Sequence, residues 1–147
     1  ITALITPMLL DKSLPIVNLL SPLESKKDFD NPNIVKAACN INGDIMYFSR
    51  SKVPFFRENI NVPIYRQTGI MAFRRNVLNE FGSLKPSPFE VAESIDMFRA
   101  LENNIRIAGV AVNYSTYGVD RVEDVLIIEK ILKNNKTQKK LFNKIFY

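Results

Sequence analysis

Short apolar runs alternate along the chain with segments that contain Pro, Gly, Asn or Asp. Runs of this length between such segments predict buried strands, here at residues 16–20, 34–39, 45–48, 64–73 and 105–112. Asn42-Gly43 separates the second run from the third, and this dipeptide is the strongest short-range signal for a β-hairpin. The sequence therefore predicts a hairpin over residues 35–48.

Apolar residues at helical spacing predict helices at residues 2–10, 76–81, 87–101 and 120–132, and the polar segments 25–33 and 51–63 predict loops. The clearest start is at Ser87, because Pro88 suits the first helical position and Glu90 completes a capping box. Asp120 and Glu123 repeat the capping-box spacing. Helices thus alternate with strands, which favours an α/β or α+β domain over an all-β sandwich.

The amino-acid composition excludes several kinds of structure and catalytic site. A chain of 147 residues, 46% hydrophobic and 24% charged, is typical of one folded domain rather than a disordered segment. It contains no His, which excludes His-based nucleophile systems and His-ligated zinc within these residues. Its single cysteine, Cys39, allows no internal disulfide and is interpreted as a buried, inert thiol in a protein of a reducing compartment.

The sequence also bears on membrane spans, on nucleotide-binding loops and on whether the chain is complete. No apolar run reaches the roughly 20 residues of a spanning helix, so we expect no membrane span. No G-x-G-x-x-G or Walker loop is present. The chain begins with Ile1 rather than Met, which we interpret as a trimmed or partial chain.

Several polar residues lie where a ligand would be held. Arg50 follows a predicted strand, where its guanidinium suits a carboxylate or phosphate, although a solvated surface Arg is the alternative. In the strand at 64–73, Arg66 and Thr68 face one way and Tyr65 and Gln67 the other. The alternative for this strand is a sheet with one wet face.

Acidic residues supply two more candidates. Glu93, Asp96 and Met97 are three and four residues apart, so in one helix they share a face that could accept donors from a polyol. The alternative is the solvated face of an amphipathic helix. Asp120 is either a helix N-cap or a magnesium ligand at a strand-to-helix turn.

The tail, residues 133–147, holds five of the lysines and no acid, and so carries the whole excess of the net charge of +5. Overall basicity therefore says little about a nucleic-acid site, and we expect no nucleic-acid partner. The tail is interpreted as an extension that packs on a partner subunit. The alternative is a basic amphipathic helix for a membrane surface or nucleic acid.

Taken in order, these motifs resemble the C-terminal portion of the 3-deoxy-manno-octulosonate cytidylyltransferases, or CMP-Kdo synthetases. The resemblance covers residues 31–132 well and 1–30 weakly. It rests on Asn31-Pro32-Asn33-Ile34-Val35-Lys36, Asn42-Gly43, Tyr47-Phe48-Ser49-Arg50 with Pro54, residues 66–73, residues 87–101, and Gly118-Val119-Asp120 with Glu123-Asp124.

The resemblance implies a Rossmann-like α/β nucleotidyltransferase fold, with a mixed sheet, flanking helices and an inserted hairpin. It implies a cytoplasmic homodimer. The implied reaction couples CTP to a 3-deoxy-octulosonic acid in the presence of Mg²⁺ and releases pyrophosphate. Its product would serve lipopolysaccharide biosynthesis. Arg50 would hold the sugar acid, Asp120 would be one of two magnesium-binding aspartates, and the face with Glu93, Asp96 and Met97 would line the sugar pocket. Residues 1–132 would be the sugar-binding and dimerising part, followed by the basic tail at 133–147.

This chain departs from the family pattern at sugar-facing positions. Gln67 stands where the family has His, Met71 where it has Tyr, and Asp96-Met97 where it has Glu-Gln. We therefore expect a related sugar acid, such as the 8-amino-3,8-dideoxy analogue.

The family's Gly-Ser-x-Arg-Leu-x-x-Lys phosphate loop and its first metal Asp are absent from these residues. We expect the N-terminal nucleotide-binding half to be missing and the chain alone to be inactive. The alternative functions are a non-catalytic sugar-acid-binding or interaction module that retains the fold, and a basic module that binds anionic surfaces through its tail.

Overall fold

The computed structural model describes residues 1–60, 62–114, 116, 118–119 and 122–146, with only the backbone at residue 146. The chain divides into two compact units, residues 1–115 and 116–147. The first unit contains α1 (Thr2–Leu10), β1 (Ile16–Pro22), α2 (Lys26–Asp30), β2 (Lys36–Cys39), β3 (Ile45–Ser49), β4 (Tyr65–Phe73), α3 (Arg75–Ser83), α4 (Pro88–Glu93), α5 (Phe98–Glu102) and β5 (Ile107–Ala111). The second contains α6 (Val122–Asn134) and α7 (Lys136–Phe146).

The five strands form one mixed sheet in the order β3-β2-β4-β1-β5. Strand β1 is antiparallel to β4 and parallel to β5, and β2 is antiparallel to both β3 and β4. The α/β fold class predicted from the sequence, a mixed sheet with flanking helices and an inserted hairpin, is confirmed. The hairpin formed by β2 and β3 turns at Gly43, which has a φ of 85°.

Side chains of β1 point alternately to the two faces of the sheet, so they contribute to two separate apolar cores. Ile16 and Leu20 contribute to the larger core, with residues of α3 and α5. Val17 and Leu19 contribute to the smaller core, which α1 covers with Leu4 and Met8. The first unit is therefore a three-layer arrangement of helix, sheet and helices.

Two predicted elements are wrong. The segment 25–33, predicted as a loop, contains α2, whose start is fixed by a capping box between Ser25 and Asp28. The single helix predicted over 87–101 is two helices, α4 and α5. Helix α4 ends before Ser94, which adopts a left-handed conformation with a φ of 52°. The other predicted helices and strands are present, with bounds that differ by a few residues.

In the second unit, α7 follows α6 after Asn135. The Asn135 carboxamide oxygen accepts hydrogen bonds from the backbone N–H groups of Thr137 (3.0 Å) and Gln138 (3.1 Å), which caps the start of α7. The predicted domain boundary at 132/133 differs from the division between the compact units and stays a prediction. Within the described residues, every helix is too short or too polar to cross a membrane.

Candidate functional site

The Arg50 guanidinium is held by three backbone carbonyls at the end of β3. Its Nε donates to the carbonyl of Glu93 at 2.7 Å, Nη1 donates to Pro32 at 3.2 Å, and Nη2 donates to Ser94 at 3.2 Å. The carbonyls of Glu93 and Ser94 are accessible because α4 ends there. Among the described residues, three of the five guanidinium N–H groups are therefore used, which leaves two that could bind a ligand.

Glu93 completes the contact with Arg50 from the other side. One carboxylate oxygen accepts from the Ser49 hydroxyl at 2.8 Å and the other from the backbone N–H of Arg50 at 2.9 Å. Residues 49 and 50 at the end of β3 are thus joined to the last residue of α4. The sequence predicted both Arg50 and Glu93 as substrate-binding residues, and the structure brings them together.

Lys36 adds a second cation that sequence reasoning did not identify. Its side chain is fully buried, and its ammonium donates to the carbonyls of Asn31 (2.8 Å) and Arg50 (2.6 Å). Burial lowers the pKa of Lys36 from its ordinary value, and the negative charge of Glu93 opposes that shift. A lysine inside an otherwise apolar strand is the sequence signal that could have identified it.

Gln67 lies on β4 beside a buried asparagine. The Asn18 amide nitrogen donates to the carbonyls of Leu19 (3.2 Å) and Ile70 (3.3 Å), so its oxygen faces Gln67. The Gln67 amide nitrogen donates to that oxygen at 3.2 Å. Gln67 is thus joined to Asn18 through one of the two N–H groups of its amide.

A local irregularity of the sheet creates this arrangement. The pairing of β1 with β4 shifts register between Asn18 and Leu20, and Gly69 on the opposite strand has a φ of 75°. The extra residues of this bulge lie in β4, and the Thr68 hydroxyl of β4 donates to the carbonyl of Leu19 on β1 at 2.8 Å. The glycine inside β4 was the sequence signal, and Asn18 within an apolar run was missed.

The remaining predicted substrate-binding residues are dispersed. Met71 packs against the larger core, Met97 is fully buried within it, and Asp96 is exposed. The prediction that Glu93, Asp96 and Met97 share one helix face is wrong, because the break at Ser94 separates α4 from the turn that precedes α5. Their roles in binding stay predictions.

Asp120, the predicted magnesium ligand, lies outside the described residues. Within the described ranges, the structure contains no group of three or more His, Cys, Asp or Glu side chains that could hold a metal ion.

Comparison with known proteins places these residues in a family. A family model described as "Cytidylyltransferase" matches residues 4–107, which include Arg50, Glu93 and Gln67. The chain belongs to the cytidylyltransferase family.

Curated members of the cytidylyltransferase family agree with this assignment. The chain is 37% identical over 135 residues to 3-deoxy-manno-octulosonate cytidylyltransferase of Chloroherpeton thalassium, covering 90% of this chain and 55% of that protein. It is 34% identical over 139 residues to the protein of the same name from Geobacter metallireducens, covering 86% of this chain and 55% of that protein. The chain spans about half the length of the curated relatives it matches.

A solved structure of the cytidylyltransferase family is also similar. It is described as CMP:2-keto-3-deoxy-manno-octonic acid synthetase complexed with CTP. The TM-score is 0.82 at 30% identity, and the match covers 88% of this chain and 54% of the other.

Proposed function

We propose that the protein containing this chain is a nucleotidyltransferase that couples CTP to a 3-deoxy-octulosonic acid. The products would be the CMP-sugar and pyrophosphate, and the CMP-sugar would serve lipopolysaccharide biosynthesis. The observation that carries the proposal is the similarity to the synthetase complexed with CTP, over 88% of this chain at a TM-score of 0.82. The names of the curated relatives support the same reaction.

Within this proposal, the chain supplies the part that binds the sugar acid. Arg50 has two N–H groups left after its three carbonyl contacts, and these suit the carboxylate of a ulosonic acid. Glu93 and Lys36 hold Arg50 in place. CTP would be bound by residues outside this sequence, because the expected phosphate loop is not among its 147 residues.

We also propose Mg²⁺ as the metal of the reaction, with Asp120 as the ligand from this chain. Carboxylate oxygen is a ligand that Mg²⁺ prefers, and the ion would neutralise charge on the phosphates of CTP. The second carboxylate would come from outside the sequence. A cytoplasmic homodimer completes the proposal, as the resemblance to CMP-Kdo synthetases implies.

The sugar is proposed to be the 8-amino-3,8-dideoxy acid rather than Kdo itself. The Gln67 amide uses one N–H group on Asn18, and its oxygen is the group that we propose contacts the sugar. An amide oxygen accepts from a hydroxyl or an ammonium, and a charged donor makes the stronger hydrogen bond. A sugar acid with a cationic substituent would therefore make the stronger hydrogen bond to Gln67.

The test is pyrophosphate release by the complete gene product with CTP, Mg²⁺ and each sugar. We expect release with the amino sugar at a higher kcat/KM than with Kdo, and we expect Arg50→Lys to raise KM for the sugar acid. As a matched control, Arg75→Lys changes an exposed arginine and should leave kcat/KM and KM for the sugar acid unchanged.

The results of this assay distinguish the proposed sugar from the proposed reaction. Preference for Kdo would overturn the amino-sugar proposal and leave the reaction standing. Sugar binding without release of pyrophosphate from CTP, with either sugar present, would overturn the enzyme proposal in favour of a non-catalytic sugar-acid-binding module.

A further inference from the structure

Helix α7 separates basic from apolar residues. Its eleven residues contain four lysines and no acid. Lys136, Lys140 and Lys144 recur at a spacing of four, and Lys139 lies on the adjoining turn. On a helix with 3.6 residues per turn, Leu141 and Ile145 fall on the side away from Lys136, Lys139 and Lys140, and Lys144 lies between the two sides.

The apolar side of α7 is open to solvent. Leu141 is 52% exposed and Ile145 is 64% exposed. Phe142 is 42% exposed and lines a cavity of about 420 Å³ with Leu132 of α6 and Lys139, so Leu141 and Ile145 are the more exposed apolar residues. Exposed aliphatic side chains beside a row of lysines match a partner surface that is both apolar and anionic.

Three anionic partners differ in what they would do with Leu141 and Ile145. A nucleic acid offers phosphates to lysine but recognises bases with aromatic or hydrogen-bonding side chains. An acidic protein surface offers carboxylates and would also need an apolar groove that matches Leu141 and Ile145 in shape. An anionic lipid bilayer offers headgroup charge and, a few ångströms deeper, acyl chains that take up aliphatic residues.

We propose that α7 binds the surface of an anionic lipid bilayer. The helix lies in the plane of the interface, with Leu141 and Ile145 inserted between headgroups and the four lysines contacting lipid phosphates. Binding is peripheral and reversible, since one short helix with two inserted side chains buries little apolar area. The inference is independent of the proposed reaction, because it uses only residues of α7.

The experiment is co-sedimentation of the complete gene product with phosphatidylglycerol–phosphatidylcholine vesicles, compared with pure phosphatidylcholine vesicles. We expect binding to the anionic vesicles only, weakened by raising the salt from 50 to 500 mM. The variant Lys136→Gln/Lys139→Gln/Lys140→Gln/Lys144→Gln should lose affinity by more than about tenfold. The variant Leu141→Gln/Ile145→Gln should also bind more weakly, with all its charges retained.

A matched control removes the same charge elsewhere. Lys12, Lys26, Lys27 and Lys85 are exposed lysines of the first unit, and their simultaneous replacement by Gln should leave vesicle binding unchanged. Equal loss in this control would show a non-specific charge effect and would overturn the proposal. Unchanged binding by either α7 variant would also overturn it, as would binding to RNA or to a polyglutamate peptide in preference to anionic vesicles.

Discussion

Arg50 and Glu93 contact each other twice, in opposite directions. The Glu93 carboxylate accepts from the backbone N–H of Arg50 at 2.9 Å, and the Arg50 guanidinium donates to the backbone carbonyl of Glu93 at 2.7 Å. Each side chain therefore makes a hydrogen bond to a backbone group of the other residue. This fixes the end of β3 against the end of α4, so the direction of the guanidinium depends on Glu93.

Replacing Glu93 by Ala should destabilise the fold and misplace Arg50. The change leaves the Ser49 hydroxyl and the Arg50 N–H without their acceptor, which costs about 1–3 kcal/mol for each buried group. Urea unfolding of the complete protein measures the loss. Ser49→Ala removes the hydroxyl that donates to Glu93 and accepts from the backbone N–H of Ser51, but it keeps the contact between Glu93 and the Arg50 N–H. It should therefore cost less, and an equal cost for the two variants would contradict this account.

Asn18 and Gln67 should be energetically coupled. Their hydrogen bond is part-buried, and Asn18 itself is fully buried. A double-mutant cycle with Asn18→Ala and Gln67→Ala should give a coupling of about 0.5–1.5 kcal/mol in the free energy of unfolding. Strict additivity of the two single changes would show that Asn18 does not orient Gln67.

The Glu90–Arg99 pair should make stability depend on acid pH. The Arg99 guanidinium donates to Glu90, which lowers the pKa of that carboxyl from its ordinary 4.5. A depressed folded-state pKa contributes stability that is fully present above the unfolded value and is lost as pH falls through the folded value. The deficit of Arg99→Gln relative to the parent should therefore shrink as the pH falls below about 4.5.

Denaturant unfolding at a series of pH values checks this prediction. A part of the deficit should remain at low pH, because Arg99 also lies over the Phe81 ring at 5.0 Å from its centroid. Arg75→Gln is the exposed control and should show no pH-dependent difference. A deficit in Arg99→Gln that stays constant with pH would contradict the ion-pair account.

Two glycines should respond oppositely to alanine. A Cβ at Gly109 would lie 2.6 Å from the buried Leu20 Cδ1 and 3.1 Å from the Gly43 carbonyl oxygen, so overpacking should cost about 1–3 kcal/mol. A Cβ at Gly82, within α3, meets nothing within 4 Å. Gly82→Ala should stabilise the protein by about 0.5–1 kcal/mol. Thermal unfolding compares the two, and destabilisation by both would contradict the packing argument.

The sequence predicted most elements because local signals agreed with the tertiary structure. Asn42-Gly43 and the flanking apolar runs specified the hairpin without further information. The capping box at Ser87 located the start of α4, and the backbone N–H of Ser87 does donate to Glu90.

The failures have tertiary causes. Val91, Ile95 and Phe98 keep helical spacing across residue 94, so periodicity cannot show the break there. Ser94 adopts its left-handed conformation where the Arg50 guanidinium binds the freed carbonyl, and that contact joins residues far apart in the chain. Asn18 was missed for the same reason, since its partners on β4 are set by a register shift between strands.

The hairpin tip and β5 are joined by a hydrogen bond from the Gly109 N–H to the Gly43 carbonyl at 2.8 Å, beside a bridge between Asp44 and Ala108. During synthesis the hairpin can form from neighbouring residues and pair with β4, but its tip stays unanchored until β5 has been translated and released from the ribosome. Arrest of translation before Gly109 would therefore leave a nascent chain with a closed turn and an unsecured sheet edge, a form that chaperones bind.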